Sequence, residues 1–320
     1  TIDSTFIHDS TIISCGTISM ILDKYNFNCS DLGVNTVSLE VTEGAGLKDT
    51  CQAMVTVLDT TKPNAVCKNI SVYLNALGQI SIDSSALDNK STDNCGVVSL
   101  SLSKSNFDCN DIGANNIWMI VTDASGNKDS CQGRVLVFDT INPIPYCMDT
   151  TIYLNSFGLF SITNSFVNNR VTDNCAVDSI WLSKYNFDCT NIGNDTIRLY
   201  AKDEVGNSDS CMAIVHVRDT QSPTAICQNI SVYLNQFGTA VIDSSDINNG
   251  SFDNCNIRTI RLSDTLFDCS NIGLNIITMT VTDSYGNTGT CQATVTVIDT
   301  VRPMAMCIDT TVYIDSLGIA

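Results

Sequence analysis

Ile117-Trp118-Met119-Ile120-Val121-Thr122 runs straight into Asp123-Ala124-Ser125-Gly126-Asn127. Ile117, Met119 and Val121 alternate with Trp118, Ile120 and Thr122, the period of a half-buried strand. Ser125-Gly126-Asn127 is turn chemistry. The pattern continues outward: Val98, Leu100 and Leu102 alternate with serines, and residues 70–74, 79–83 and 134–138 are further strand candidates. Leu77-Gly78 and Asp93-Asn94 punctuate them. No segment sustains a 3.6-residue period, so helix is expected to be nearly absent. About six or seven short strands with turns between them point to an all-β fold, an antiparallel β-sandwich of immunoglobulin-like architecture.

The cysteines define the unit that folds this way. Cys15, Cys95, Cys175 and Cys255 stand 80 residues apart, as do Cys29, Cys109, Cys189 and Cys269, then Cys51, Cys131, Cys211 and Cys291, then Cys67, Cys147, Cys227 and Cys307. All 16 cysteines are accounted for. A period without insertion or deletion marks a tandem array whose modules contact mainly their neighbours. The expected domains are a partial repeat at 1–59, complete repeats at 60–139, 140–219 and 220–299, and the first quarter of another at 300–320. Linkers recur as Asp59-Thr60-Thr61-Lys62-Pro63 and its counterparts ending at Pro143, Pro223 and Pro303. Short and proline-stiffened, they predict an extended rod rising ~35–40 Å per repeat. Residues 307–320 followed by 1–15 would restore the 28-residue spacing from Cys67 to Cys95. Either the chain is a window on a longer array, or one chain's 300–320 strand completes another's first domain.

A module of this size buries a modest core, so disulfides are a natural supplement in a secreted protein. Metal-binding spacing such as C-x₂-C is absent. The net charge of −18 disfavours nucleic acid and anionic lipid as partners and suits a secreted, cell-surface setting. No apolar run reaches the ~18–20 residues of a membrane span, and no signal peptide precedes Thr1, so targeting and anchoring are expected outside the segment.

Asp93-Asn94-Cys95, Phe107-Asp108-Cys109, the stretch Val121 to Asn127, and Asp-Thr-x-x-Pro after the last strand together resemble the hyalin repeat family over essentially the whole chain. Lys68, Met148, Gln228 and Ile308 stand where the common pattern has proline, and a further cysteine before Asp-Asn-Cys is missing. The array looks most like those in giant surface proteins of gliding, filamentous bacteria. That resemblance implies export, adhesion or fibre formation.

Four cysteines per repeat allow three connectivities. In a sandwich whose termini lie at opposite poles, the first and last strands start at the same end. Cys67 is therefore expected to bridge to Cys131, Cys147 to Cys211 and Cys227 to Cys291. Local loops would then be closed by Cys95 with Cys109, Cys175 with Cys189, Cys255 with Cys269 and Cys15 with Cys29. Cys51 and Cys307 would be left unpaired or joined between chains.

The same topology brings Asp59, Asp93, Asn94, Asp123 and Asn127 to one pole. Asp139, Asp173, Asn174, Asp203 and Asn207 repeat the arrangement, as do Asp219, Asp253, Asn254, Asp283 and Asn287. Oxygen-only clusters suit structural calcium at the junctions. The competing explanation is that Asp-Asn and Ser-Gly-Asn simply form turns. In the first copy Ile13, Ser14, Glu43 and Leu47 replace the set, a joint loss expected of positions that share a task.

Ile21, Trp118, Ile120, Trp181, Tyr200 and Ile276 fall on outward positions and form a candidate lateral interface, scattered exposure being the alternative. Asp-(Ser/Thr)-x triplets place candidate O-glycosylation at Ser4, Ser10, Thr60, Thr140, Thr150, Thr196, Thr265, Thr300 and Thr310. These resemble the signal used by the same bacteria. His8 and His216 are the only histidines, and no catalytic motif accompanies them. The expectation is therefore no enzyme. The chain is expected to be a rigid shaft that self-associates, with direct binding of a glycan or protein ligand as the alternative.

Overall fold

The computed structural model describes residues 1–13, 16–313, 316, 317 and 319. The chain is all-β, and the one α-helix among the described residues is the four-residue Ser244–Ile247. It groups into two compact units, Thr1–Pro143 with the loops Thr172–Val177 and Asp203–Asn207, and Ile144–Val171 with Asp178–Lys202 and Ser208–Ala320.

In the first unit, β1 (Ile18–Leu22), β2 (Gly33–Glu43) and β3 (Lys48–Val57) form a three-stranded sheet in that order. There follow β4 (Ile70–Tyr73), β5 (Gln79–Ser81), β6 (Val97–Leu102), β7 (Asn106–Asp108), β8 (Gly113–Asp123) and β9 (Lys128–Phe138). One sheet runs β4-β9-β8-β6, and β5 pairs with β7. Ile117, Met119 and Val121 are buried, at 3%, 0% and 0% exposure, and close on Val135 and Val137 from β9 and on Leu87 and Phe107 opposite. The alternation in β8 is therefore the core-facing period.

The sheet departs from the antiparallel expectation at one edge. β4 pairs with β9 in parallel, Ile70 opposite Val135 and Tyr73 opposite Phe138. The first and last strands of the repeat leave the same pole in the same direction, so when they neighbour each other they must run parallel.

The second unit carries the same plan twice. Strands Thr150–Tyr153, Ser208–Arg218, Gly193–Asp203 and Val177–Leu182 form one four-stranded sheet, and Ile230–Tyr233, Thr288–Ile298, Gly273–Asp283 and Ile257–Leu262 form the other, each in that order. Again the first pair is parallel. The core strands Gly113–Asp123, Gly193–Asp203 and Gly273–Asp283 recur every 80 residues.

Short aspartate-capped turns punctuate this framework. The side chains of Asp83, Asp188, Asp243 and Asp268 accept from the hydroxyls of Ser85, Thr190, Ser245 and Ser270, and from the backbone N–H groups of the same residues. Those hydroxyl bonds, then the backbone ones, hold all four carboxyls below their ordinary 3.8. A depressed folded-state pKa gives stability that is present above the unfolded value and lost as pH falls through the folded one. In chelator, thermal midpoints are thus expected to hold steady from pH 7 to about 5 and to drop below about pH 4. A midpoint that rises on acidification would contradict this.

Candidate metal centres and the junction disulfides

Among the described residues there are six disulfides, of two kinds. Cys67–Cys131, Cys147–Cys211 and Cys227–Cys291 each close a loop within one 80-residue repeat, at a separation of 64. Cys29–Cys95, Cys109–Cys175 and Cys189–Cys255 are separated by 66 and each joins one repeat to the next.

The second set corrects the expected local loops: Cys95 does not meet Cys109, Cys175 does not meet Cys189, and Cys255 does not meet Cys269. Cys95 lies just before β6 and Cys109 just after β7. The six residues of β6 alone span roughly 20 Å, far beyond the ~7 Å Cα limit of a disulfide. Cys95 and Cys109 therefore each bond a cysteine of a neighbouring repeat. Cys29 likewise bonds Cys95 rather than Cys15, which lies outside the described residues with Ser14. Cys269 is free and exposed, as are Cys51 and Cys307.

The two cysteine motifs are the two halves of this staple. In Phe107-Asp108-Cys109, Phe107 is buried, and Asp108 and Asp111 form a reciprocal cap that starts a 3-10 turn at Cys109. In Asp93-Asn94-Cys95, Asp93 Oδ2 accepts from the N–H of Cys95 at 2.8 Å and of Gly96 at 3.1 Å. The turn before β5 packs beneath the staple. A Cβ on Gly78, at φ +69°, would lie 2.5 Å from the Asn174 carbonyl oxygen and 2.6 Å from Cys109 Sγ. Gly78→Ala is accordingly expected to cost at least about 1–2 kcal/mol for the left-handed backbone. It should also lower the yield of the Cys109–Cys175 bond. Thermal melts and peptide mapping measure the two effects, and an unchanged map would contradict the packing argument.

Beside each staple lies an acidic cluster: Asp59 with Asp93 and Asp123, Asp139 with Asp173 and Asp203, and Asp219 with Asp253 and Asp283, each set presenting oxygens within 4.8 Å of one another. The linker and loop carboxylates, Asp59, Asp93, Asp139, Asp173, Asp219 and Asp253, are anchored through one oxygen and leave the other without a partner. Asp139 Oδ1 accepts from the Ile141 N–H (3.1 Å) and from Asn174 Nδ2 (3.0 Å). Asp173 Oδ2 accepts from the Cys175 N–H at 2.9 Å. Asp139 Oδ2, Asp173 Oδ1 and Asn174 Oδ1 are buried with no hydrogen-bond partner, and so are Asp219 Oδ2, Asp253 Oδ1 and Asn254 Oδ1. At the first cluster Asp59 Oδ2 and Asp93 Oδ1 share this state. Asp139 and Asp219 are each only 7% exposed.

Asp203 and Asp123 organise the site from the hairpin. Asp203 Oδ1 accepts from the N–H groups of Val205, Gly206 and Asn207, and its Oδ2 from Asn207 Nδ2. Burial works to raise the pKa of Asp123, but hydrogen bonds from the Asn127 side chain and the turn N–H groups outweigh it and hold the carboxyl low. Asn127, Asn207 and Asn287 act as donors, tying these aspartates to the linker carbonyls of Asp59, Asp139 and Asp219. They position the cluster. Asn174 and Asn254 are the amides that present an unpartnered oxygen.

Turn formation alone does not account for this arrangement. A turn-forming aspartate leaves its second oxygen in water, whereas here it is buried without a partner, a costly state. In addition, the hairpin of the first copy closes with the same backbone bonds without aspartate or asparagine: Glu43 N–H to Leu47 O at 2.9 Å and Gly46 N–H to Glu43 O at 2.7 Å. Several anionic or amide oxygens converging at one point match the hard, oxygen-only donor set of calcium.

Among the other candidates, Ile21, Trp118, Ile120, Trp181 and Ile276 are exposed and Tyr200 is half-buried. Trp181 stacks on Tyr200 with centroids 5.3 Å apart. Ser10, Thr60, Thr140, Thr196, Thr265, Thr300 and Thr310 are exposed, while Ser4 and Thr150 are half-buried. His216 Nδ1 meets Asn194 Oδ1, and His8 Nε2 meets Thr11 Oγ1.

No protein-family model matches the chain. It is 25% identical over 309 residues to hyalin of Strongylocentrotus purpuratus, covering 90% of this chain and 25% of that one. It is also 25% identical over 200 residues to an uncharacterized 81.3 kDa protein of Acholeplasma phage L2, covering 58% and 26%. The chain thus spans about a quarter of the length of the curated relatives it matches. The likeness to hyalin runs along the array and is not confined to one module. Among solved structures it is similar to protocadherin gamma B7 extracellular cadherin domains 1–4, at 13% identity over 88% of this chain and 92% of that, with a TM-score of 0.32. It is also similar to Drosophila N-cadherin EC1–4, at 11% identity over 90% and 94%, with a TM-score of 0.29.

Proposed function

We propose that this chain is part of the shaft of an extracellular structural or adhesive protein, in which calcium fixes each repeat against the next. The observation that carries the reading is the set of buried, unpartnered oxygens at the clusters of Asp59, Asp139 and Asp219. Six disulfides among the described residues suit an oxidising compartment, and no described helix is long and apolar enough to cross a membrane. Each complete repeat presents the same devices at the same spacing, which suits a spacer better than a reader with one unique site. Small-angle scattering of the oxidised chain with calcium and with chelator tests it. A larger maximum dimension and a stiffer profile in calcium are expected. Identical profiles would remove calcium from the reading and leave a spacer held by disulfides alone.

A second reading, direct recognition of a glycan or protein, draws on the exposed Trp181 and its partner Tyr200. The equivalent positions hold Ser101 and Ile120 in one repeat and Arg261 and Thr280 in another. Such a pair is a flat aromatic platform of the kind that sugars and side chains stack on. Glycan-array binding lost in Trp181→Ala, with the scattering profile unchanged, would favour recognition over the shaft.

A further inference from the structure

The cation cluster and the junction disulfide grip the same three residues. Asp173, Asn174 and Cys175 are consecutive. Asp173 offers one oxygen to the Cys175 N–H and keeps the other unpartnered. Asn174 donates from Nδ2 to Asp139 and keeps its own oxygen unpartnered, while its carbonyl oxygen lies 3.6 Å from Cys109 Sγ. Cys175 is bonded to that same Cys109. Asp253-Asn254-Cys255 repeats the arrangement with Asp219 and Cys189, and there Cys255 is only 6% exposed. Asp93-Asn94-Cys95 makes the same contacts with Asp59 and Cys29, with Asp59 Oδ2 and Asp93 Oδ1 as the buried unpartnered oxygens there.

Without a cation, three carboxylates presenting oxygens within 4.8 Å repel one another, and the free loop could relieve that by swinging away. The disulfide removes this escape from one side, and the close fit at Gly78 and Gly158 leaves no slack beneath it. We propose that cation binding and the junction disulfide are thermodynamically linked: the bond pre-organises the oxygens and raises cation affinity, and the bound cation protects the bond from reduction. This rests on the reading of the clusters as cation sites. Linkage is reciprocal, so the two effects share one factor.

Reduction by a dithiol requires its thiolate to approach in line behind one sulfur of Cys109–Cys175. The other sulfur leaves as a thiolate and is protonated. The second dithiol thiolate then displaces the attacked cysteine from the mixed disulfide. Two electrons pass to the protein, which ends with two thiols, while the reductant ends as a cyclic disulfide. Once the two thiols part, the loop is free to swing away, and a cation held by Asp173 and Asn174 opposes that movement and so favours the disulfide.

The test uses the full oxidised chain. Calcium binding is first measured by calorimetry. The chain is then brought to equilibrium in mixtures of reduced and oxidised dithiothreitol with calcium chloride or with chelator, free thiols are trapped with iodoacetamide, and the oxidised fraction of each bond is read by peptide mass spectrometry. Calcium is expected to shift the reduction equilibrium of Cys29–Cys95, Cys109–Cys175 and Cys189–Cys255 toward the disulfide on the order of 10-fold, relative to the bonds within repeats. Cys109→Ser with Cys175→Ser is expected to weaken calcium at the middle cluster by a similar factor. If calcium binds and yet both classes of bond are reduced to an unchanged extent at equilibrium, the linkage is wrong and the cation sites stand. If the oxidised chain binds no calcium, the cation reading falls and the linkage falls with it. The mass-spectrometric arm uses the native sequence, so a failure of the double variant to fold does not remove the test.

Discussion

Asp139→Asn is expected to change the sign of its effect on stability with the presence of calcium. Asp139 Oδ1 accepts two hydrogen bonds, from Ile141 and from Asn174, and an asparagine oxygen can accept both. The change therefore falls on Oδ2, which is buried without a partner among carboxylates within 4.8 Å. Two like charges at that distance repel by about 3 kcal/mol at an effective dielectric near 20. In chelator, an amide there removes two such repulsions and adds donors facing Asp173 and Asp203. A gain of about 1 kcal/mol is expected after screening. In calcium at 100 times its dissociation constant, the native site is stabilised by about 2.7 kcal/mol, and the variant forfeits most of this. Urea melts in the two conditions measure both arms. If the aspartate only formed a turn, its replacement would have one small effect, indifferent to calcium.

Removing the bond within a repeat is expected to have the largest effect on folding. Cys147 and Cys211 pack against a core that includes Ile152, Val167, Phe187, Ile197 and Val215, and the loop they close has a separation of 64 residues. The chain-entropy estimate for such a loop is about 4 kcal/mol, a large share of the ~5–15 kcal/mol that holds a domain together. Cys147→Ala with Cys211→Ala should lower the unfolding free energy of that repeat by this amount, read from its urea melt, while the sheet containing Ile230–Tyr233 melts as before. A loss below about 1 kcal/mol would mean that the reduced chain is already constrained or that the core suffices.

Ile117, Met119 and Val121 are legible because a strand buried on one face writes its period directly into the residues. The parallel edge of β4 is not written there, because alternation specifies a face and says nothing of the neighbour's direction. The cysteine period identified the repeat and at the same time hid the pairing, since a bond from Cys109 to Cys95 and one from Cys109 to Cys175 look alike when every copy carries the same positions. The usable signal was the local chemistry: Asp93 and Asp108 each begin a turn, and β6 separates them. The acidic clusters were legible from topology, which carries the linker, the loop before β6 and the β8–β9 hairpin to one pole. Which oxygen of each carboxylate is already engaged is a matter of turn geometry. Only that detail distinguishes Asp139 and Asp173 from ordinary turn formers.

The most direct test of the central claim is the number of calcium ions bound per oxidised chain, measured by equilibrium dialysis over the ~10⁻⁴–10⁻³ M range typical of extracellular sites. Three saturable sites are predicted, one at each of the clusters built on Asp59, Asp139 and Asp219, falling to two in Asp139→Asn. The absence of saturable binding in that range would contradict the account.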